Sequence, residues 1–172
     1  MNPISRFSGR VHRQTGLDTP AFPPARPAAA EGRYHRPGEP WPLYASLEPG
    51  TVWAEWSAAT NGAIDPSTER RRLWRIDVRS LPVVDLRRPG LVDDLGIDLE
   101  QLTGPRTRAH DFAERARDLG ATGMVVPSAA RGGAWNLVVF PSGFSALRAA
   151  GSRAMNPRPP DQVTRRRSIS SR

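Results

Sequence analysis

The chain has 172 residues, with 25 basic and 17 acidic side chains and a formal net charge of +8 at pH 7. Its basic residues are all arginine and it has no cysteine, which excludes disulfides, thiolate nucleophiles and cysteine-ligated zinc. The length fits one domain, and no apolar run approaches the ~18 residues of a membrane span, so we expect a cytoplasmic protein with no membrane contact.

The first half of the chain predicts a short strand followed by a helix. Residues 1–9 are interpreted as an N-terminal extension, and the Pro- and Ala-rich segment 17–31 as irregular. Residues 41–46 predict a strand. A helix is expected from Pro49 to about Ala59, because proline suits a first helical position, where its missing N–H costs nothing.

The second half alternates further strands and helices. Two strands are predicted at 73–78 and 82–86, separated by residues 79–81, and short helical turns over 91–103. A longer helix is predicted over about 106–118, with an apolar stripe formed by Ala109, Phe112, Ala113 and Ala116 and with Gly120 as its stop.

Two more strands, 123–127 and 134–140, flank the loop SAARGG. The mixture lacks a regular βαβ alternation, so the predicted fold class is α+β, a single domain with a mixed sheet and flanking helices.

The basic charge is concentrated at the C-terminal end. Residues 32–150 carry 15 arginines against 14 acidic residues, whereas residues 151–172 carry 6 against 1. We therefore interpret 10–150 as the domain and 151–172 as a disordered Arg-rich tail. Nucleic-acid binding by this tail, through phosphate neutralisation at residues 165–167, is an alternative non-catalytic function.

Glu55 is the first candidate for chemistry. In a helix over 49–59 it shares a face with Val52, Trp56 and Ala59, where a carboxylate needs a partner or a cleft. The alternative is that Trp53 defines the buried side and that Glu55 is solvated.

Ser128 follows a buried strand, a position that often carries function. Alternatively, its hydroxyl only caps a turn. The sequence has no nucleophile-elbow pattern.

His12, His35 and His110 have no metal-ligand spacing, so no metal site is predicted. No glycine-rich phosphate loop is present either, and a bound nucleotide would have to be held by arginine side chains.

Several motifs, taken in order, resemble the RES domain family, over roughly residues 10–147. They are Gly32-Arg33, Gly38, Leu43-Tyr44-Ala45-Ser46, Glu55, Val126-Pro127-Ser128 and Asn136-Leu137. Tyr34-His35 stands where the family usually has Trp-Asn, and Arg36 and Trp41 look peripheral to the motifs.

The resemblance implies a fold similar to the ADP-ribosyltransferase toxins and cleavage of the nicotinamide–ribose bond of NAD+. Water or phosphate would be the acceptor, and transfer of ADP-ribose to a macromolecule is the alternative. NAD+ is then a substrate, phosphate a possible co-substrate, and no cofactor is expected. The resemblance also implies a toxin restrained by an Xre-type antitoxin, with a homodimer as a possible assembly.

The resemblance further implies roles for individual residues. Glu55 would hold the ribose hydroxyls and stabilise the oxocarbenium-like carbon, and Arg33 would bind the pyrophosphate or ribose edge. Tyr44 would stack on nicotinamide, and Ser128 would hydrogen-bond the nicotinamide ribose or carboxamide. Asn136 would support the site, and Tyr34 would contribute to substrate binding.

Overall fold

The computed structural model describes residues 2–158, which form six strands, four α-helices and one 3₁₀ helix. The strands are β1 (Ile4–Thr15), β2 (Leu43–Ser46), β3 (Arg71–Asp85), β4 (Gly123–Pro127), β5 (Trp135–Val139) and β6 (Leu147–Met155). The α-helices are α1 (Pro49–Ala59), α2 (Leu91–Asp94), α3 (Leu99–Thr103) and α4 (Arg106–Asp118), and the 3₁₀ helix spans Pro141–Ala146.

The strands form one mixed sheet in the order β1-β2-β5-β4-β3-β6. The additional pairing of β1 with β3 closes five of the strands into a ring, to which β6 adds along the first half of β3. Only the β3–β4 pairing is parallel among the strand pairs of residues 2–158. The α+β class and the mixed sheet with flanking helices are thus confirmed.

The two longer predicted helices are present with the expected bounds. α1 spans Pro49–Ala59, and α4 spans Arg106–Asp118 with its predicted apolar stripe buried. Gly120 follows α4 with a φ of 88°, in the left-handed region that ends helices. Residues 17–31 lie outside every helix and strand, as expected.

Three strand assignments differ from the sequence prediction. β1 starts at Ile4, inside the expected extension, and β6 includes residues 151–155 of the expected disordered tail. The two strands predicted around residues 79–81 are one continuous strand, β3. Ser80 takes a φ of 49° there, which turns the chain without ending the ladder to β1. Residues 159–172, with the arginines at 165–167, lie outside the described residues.

Buried side chains fill both the ring and the space between the sheet and the helices. Inside the ring lie residues such as Val11, Leu43 and Leu137, and α4 packs Phe112 and Ala113 over the opposite face of the sheet. α1 contacts β1 and β2. Within residues 2–158, no helix is long and apolar enough to cross a membrane.

Candidate active site

Helix α1 fixes the position of Glu55 by burying the residues around it. Val52, Trp53 and Trp56 are all buried and pack with Leu73 of β3. Glu55 lies among these buried residues of α1, is itself partly buried, and lines a cavity. Trp53 is thus on the buried side, as the alternative expected, but Glu55 lines a cavity and is not merely solvated. Ala59, expected on the buried face, is exposed and lies at the edge of the same cavity.

Two donors hold one oxygen of the Glu55 carboxylate. The Ser128 hydroxyl donates to Oε1 at 2.6 Å, and the Asn136 amide Nδ2 donates to the same atom at 2.6 Å. Hydrogen bonds to a charged acceptor are short and strong. No donor of residues 2–158 bonds Oε2, so this second oxygen is available to a ligand.

Ser128 caps the turn after β4, as one of its two sequence interpretations expected, and it also binds Glu55. Its Oγ accepts hydrogen bonds from the backbone N–H groups of Ala130 and Arg131 at 3.2 and 3.1 Å, which stabilises the turn after β4. Because both acceptor positions of the oxygen are occupied, its proton is directed to Glu55. Ser128 is buried and is absent from the cavity wall.

Asn136 is oriented by the strand beside it. Its Oδ1 accepts a hydrogen bond from the Ser46 hydroxyl at 2.7 Å, so its NH₂ group faces Glu55. Ser46 and Asn136 are direct partners in the β2–β5 ladder. This pairing brings two residues that lie far apart in sequence to the same place beside α1.

The loop that carries Arg33 is built around a glycine. Any Cβ at Gly32 would collide with the His35 ring and lie 2.8 Å from the Tyr44 hydroxyl. The Gly32 N–H donates to the His35 carbonyl at 3.0 Å, and His110 of α4 donates from Nε2 to the Gly32 carbonyl at 2.8 Å. Arg33 lines the cavity and donates from Nη1 to the Gly104 carbonyl at 2.8 Å.

Tyr44 is held by the same loop. Its hydroxyl accepts from the Tyr34 N–H at 3.0 Å and lies 2.8 Å from Nδ1 of His35. Nε2 of His35 faces the Ala30 carbonyl at 3.2 Å and so carries the proton, which leaves Nδ1 to accept from Tyr44. Burial lowers the pKa of His35 and raises that of Tyr44. Both groups are thus neutral at pH 7.

The same loop is tied to α4 by ion pairs. Arg36 contacts Asp111 at 3.0 Å and Glu114 at 3.3 Å, and Arg117 contacts Glu39 at 3.3 Å. Arg36 is thus engaged with α4 and is absent from the cavity wall, in agreement with its expected peripheral place. Trp41, also expected to be peripheral, does line the cavity.

The cavity in front of Glu55 has a volume of about 520 Å³, a size typical of small-molecule sites. Of the predicted site residues, Arg33, Tyr44, Glu55 and Asn136 line it. Tyr34 is 3% exposed and, like Ser128, does not line it. Four of the six predicted site residues thus lie at the cavity wall, and the other two, Tyr34 and Ser128, lie behind it.

Sequence analysis missed two arginines of the cavity wall, Arg13 on β1 and Arg106 at the start of α4. It also considered His12 only for metal binding, which it excluded, although His12 lines the cavity. One available signal was the alternation in β1, where Arg13 falls in step with the buried residues Val11 and Thr15. Among residues 2–158 no group of His, Cys, Asp and Glu side chains could hold a metal ion.

Comparison with known proteins identifies the family of the chain. The sequence model of the RES domain matches residues 9–159. A protein of Mycobacterium tuberculosis named probable NAD(+) phosphorylase is 33% identical over 158 residues, which cover 91% of this chain and 76% of that protein.

A solved structure has the same fold. It is the crystal structure of the M. tuberculosis MbcT–MbcA toxin–antitoxin complex, with a TM-score of 0.71, 23% identity, and coverage of 96% of this chain and 92% of that chain. From the sequence model, which matches residues 9–159, and from a relative 33% identical over 91% of this chain, it follows that the chain belongs to the RES domain family.

Proposed function

We propose that this protein depletes NAD+ by cleaving the bond between nicotinamide and ribose. The observation that carries the proposal is the Glu55 carboxylate, held through Oε1 by Ser128 and Asn136 at the wall of an arginine-lined cavity. The relative named as a probable NAD(+) phosphorylase supports the same reaction.

Glu55 supplies what the reaction needs most. As the glycosidic bond lengthens, positive charge develops on the ribose, and a carboxylate that is already oriented stabilises that charge without reorganising. Its Oε2 is available to accept from a ribose hydroxyl. Nicotinamide leaves as a neutral molecule, so no strong general acid is required.

The arginines and Tyr44 provide the binding surface. Arg33 and Arg106 line the cavity, and a guanidinium presents the planar fork that fits phosphate oxygens. The Tyr44 ring offers a face for nicotinamide, while its hydroxyl is engaged with His35 and with the Tyr34 backbone. Ser128 and Asn136 act as positioning residues that hold Glu55.

We take phosphate to be the acceptor, with water as the second candidate, because the named relative is a phosphorylase. An antitoxin protein that restrains the enzyme is the proposed partner, since the similar fold was solved in a toxin–antitoxin complex. The Xre type of the antitoxin is an expectation from the family resemblance, and the cytoplasmic location is an expectation from the lack of a membrane-length apolar run in the sequence. A homodimer is a further candidate assembly.

The test is release of nicotinamide from NAD+ by the purified full chain, with products weighed by mass spectrometry in the presence and absence of phosphate. Phosphorolysis yields ADP-ribose carrying one added phosphate, hydrolysis yields ADP-ribose, and transfer yields a modified macromolecule. Glu55→Gln should lose on the order of 10²-fold or more in turnover. The matched control Glu100→Gln, an exposed carboxylate outside the cavity, should keep it. Full turnover in Glu55→Gln would refute the assignment.

A further inference from the structure

The neighbouring strands β1, β3 and β6 carry an excess of positive charge. β1 has three arginines and β6 has two, and neither has an acidic residue, while β3 has four arginines and two aspartates. Residues 32–150 as a whole are nearly balanced, with 15 arginines against 14 acidic residues. The basic charge of the domain is therefore concentrated on these three strands.

Strand register brings several of these charges to the same face of the sheet. Asp77 of β3 lies opposite Arg10 of β1 on one side and opposite Arg148 of β6 on the other. Arg75 and Arg79 each lie two residues from Asp77 and point to the same face, because side chains alternate along a strand. Asp77 thus lies between four arginines.

Arg153 extends this face along β6. It lies opposite Leu73 in the β3–β6 ladder, and Leu73 is two residues from Arg75, so both arginines point to the same side. Burial lowers the pKa of His12, the β1 partner of Arg75, and the charges of Arg10, Arg75 and Arg153 lower it further. These arginines are therefore close enough to act on a common neighbour.

Four arginines of this surface, which we call the basic strand face, have no acidic partner. They are Arg75, Arg79, Arg148 and Arg153. All four are exposed, and no carboxylate of residues 2–158 lies within ion-pair distance of any of them. Asp77 pairs with Arg10 instead, at 2.8 Å. Because the protein does not neutralise these four charges, the basic strand face is suited to bind an anionic partner.

The composition of the face favours nucleic acid over an acidic protein. A protein–protein interface has an apolar core within a polar rim. The large apolar side chains that are exposed in residues 2–158 are Ile64 and Leu119, and both lie outside the strands. Phosphate groups, in contrast, are bound mainly through charge. The chain also continues from β6 toward residues 159–172, whose sequence has four arginines and one acidic residue.

We propose that the basic strand face binds the phosphate backbone of a nucleic-acid duplex. Its guanidinium groups donate to phosphate oxygens, and binding is independent of sequence, since backbone contacts read no bases. None of the four arginines lines the cavity in front of Glu55. Duplex binding is thus a second function of the chain, beyond the cleavage of NAD+.

Fluorescence anisotropy of the full chain with a labelled DNA duplex of about 20 base pairs, and with an RNA duplex of the same sequence, tests this over a series of salt concentrations. The double variant Arg75→Gln/Arg148→Gln should bind at least one duplex on the order of tenfold more weakly, with the log–log salt slope reduced by about 1.8 for two lost phosphate contacts. The control pair Arg26→Gln/Arg108→Gln removes the same charge at exposed positions outside the strands and should bind as wild type.

Two further variants separate the loss of charge from other causes. Arg75→Lys/Arg148→Lys keeps both charges and should retain most of the affinity that the glutamine pair loses. Both side chains are exposed, so the glutamine pair should also keep the wild-type Tm. In a full chain with glutamine at residues 165–167, the glutamine pair should weaken binding by the same factor, because the face contacts the duplex itself.

Three results would overturn the proposal. They are a wild-type chain that binds neither duplex, equal losses in the glutamine pair and its control pair, and a glutamine pair that weakens binding of poly-glutamate but of neither duplex. The last result would make the partner an acidic protein. All titrations are done without NAD+, so failure of the protein to cleave NAD+ would leave a positive result standing.

Discussion

Replacing Asn136 by Asp tests how Glu55 is held, because the side chains have nearly the same shape. The substitution exchanges a donor 2.6 Å from Glu55 Oε1 for an oxygen at the same place. Two unit charges at that distance repel by about 6 kcal/mol at an effective dielectric constant of ~20. Taking up a proton at pH 7 costs ~4 kcal/mol for a carboxyl with an ordinary pKa near 4. Protonation is the smaller cost, so the variant pair should share one proton at neutral pH.

This reasoning sets the sign and size of the stability change. A carboxyl whose folded-state pKa is raised binds more protons when folded, so stability falls as pH rises above the unfolded value. The variant should lose up to ~4 kcal/mol at pH 7, or roughly 10 °C in Tm. The deficit should shrink by ~1.4 kcal/mol per pH unit toward pH 4.

The assays are melting curves from pH 4.5 to 8 and nicotinamide release at pH 7. Turnover should fall on the order of 10²-fold, since the carboxylate is partly neutralised and loses one charge-assisted hydrogen bond. Asn61→Asp makes the same chemical change at an exposed position and should leave both readouts unaltered. A pH-independent deficit, or wild-type turnover, would show that Asn136 does not hold Glu55.

Three further substitutions test the packing at the cavity wall and behind it. Gly32→Ala places a Cβ against the His35 ring and should cost ~1–3 kcal/mol by overpacking, measured as a lower Tm. Tyr44→Phe removes the donor to Nδ1 of His35, so the pKa of His35, which burial lowers, should rise toward its ordinary value in an NMR titration. Trp53→Ala truncates a side chain that is 2% exposed and should cost ~3–5 kcal/mol in denaturant unfolding.

Two control variants make the same kind of substitution at open or exposed positions. Gly132→Ala meets no atom within 4 Å, and Leu119→Ala truncates a side chain that is 38% exposed, so neither should shift stability much. Equal losses in Gly32→Ala and Gly132→Ala would contradict the collision argument. An unchanged His35 pKa in Tyr44→Phe would mean that the proton lies on the other ring nitrogen.

The elements with strong local signals could be predicted from the sequence. Pro49 and a compact apolar stripe identified α1 and α4, and short apolar runs identified the buried strands. β1 was missed because only Ile4, Phe7 and Val11 of its twelve residues are large and apolar, so its pairing with β3 decides its structure. The prediction of two separate strands at β3 was wrong for the same reason: pairing with β1 continues on both sides of the bend at Ser80.

Residues of the candidate site could be predicted where they belong to a family motif. They could not be predicted where only tertiary contacts bring them to the cavity. The order of the family motifs identified Arg33, Tyr44, Glu55 and Ser128. It could not show that Ser128 lies behind Glu55 rather than at the cavity wall, because that depends on the turn after β4. Arg13 had no motif, and its place in the wall depends on the closure of β1 against β2.

Asn136 can hold the Glu55 carboxylate only because the register between β2 and β5 places it opposite Ser46. A slip of one residue between β2 and β5 would turn Asn136 to the opposite face of the sheet and leave Glu55 with Ser128 alone. During synthesis, Glu55 is made 81 residues before Asn136. A nascent chain that ends before Asn136 therefore cannot form both hydrogen bonds to the Glu55 carboxylate. If Glu55 must be held to work, the chain acquires its activity only as its last strands join the sheet.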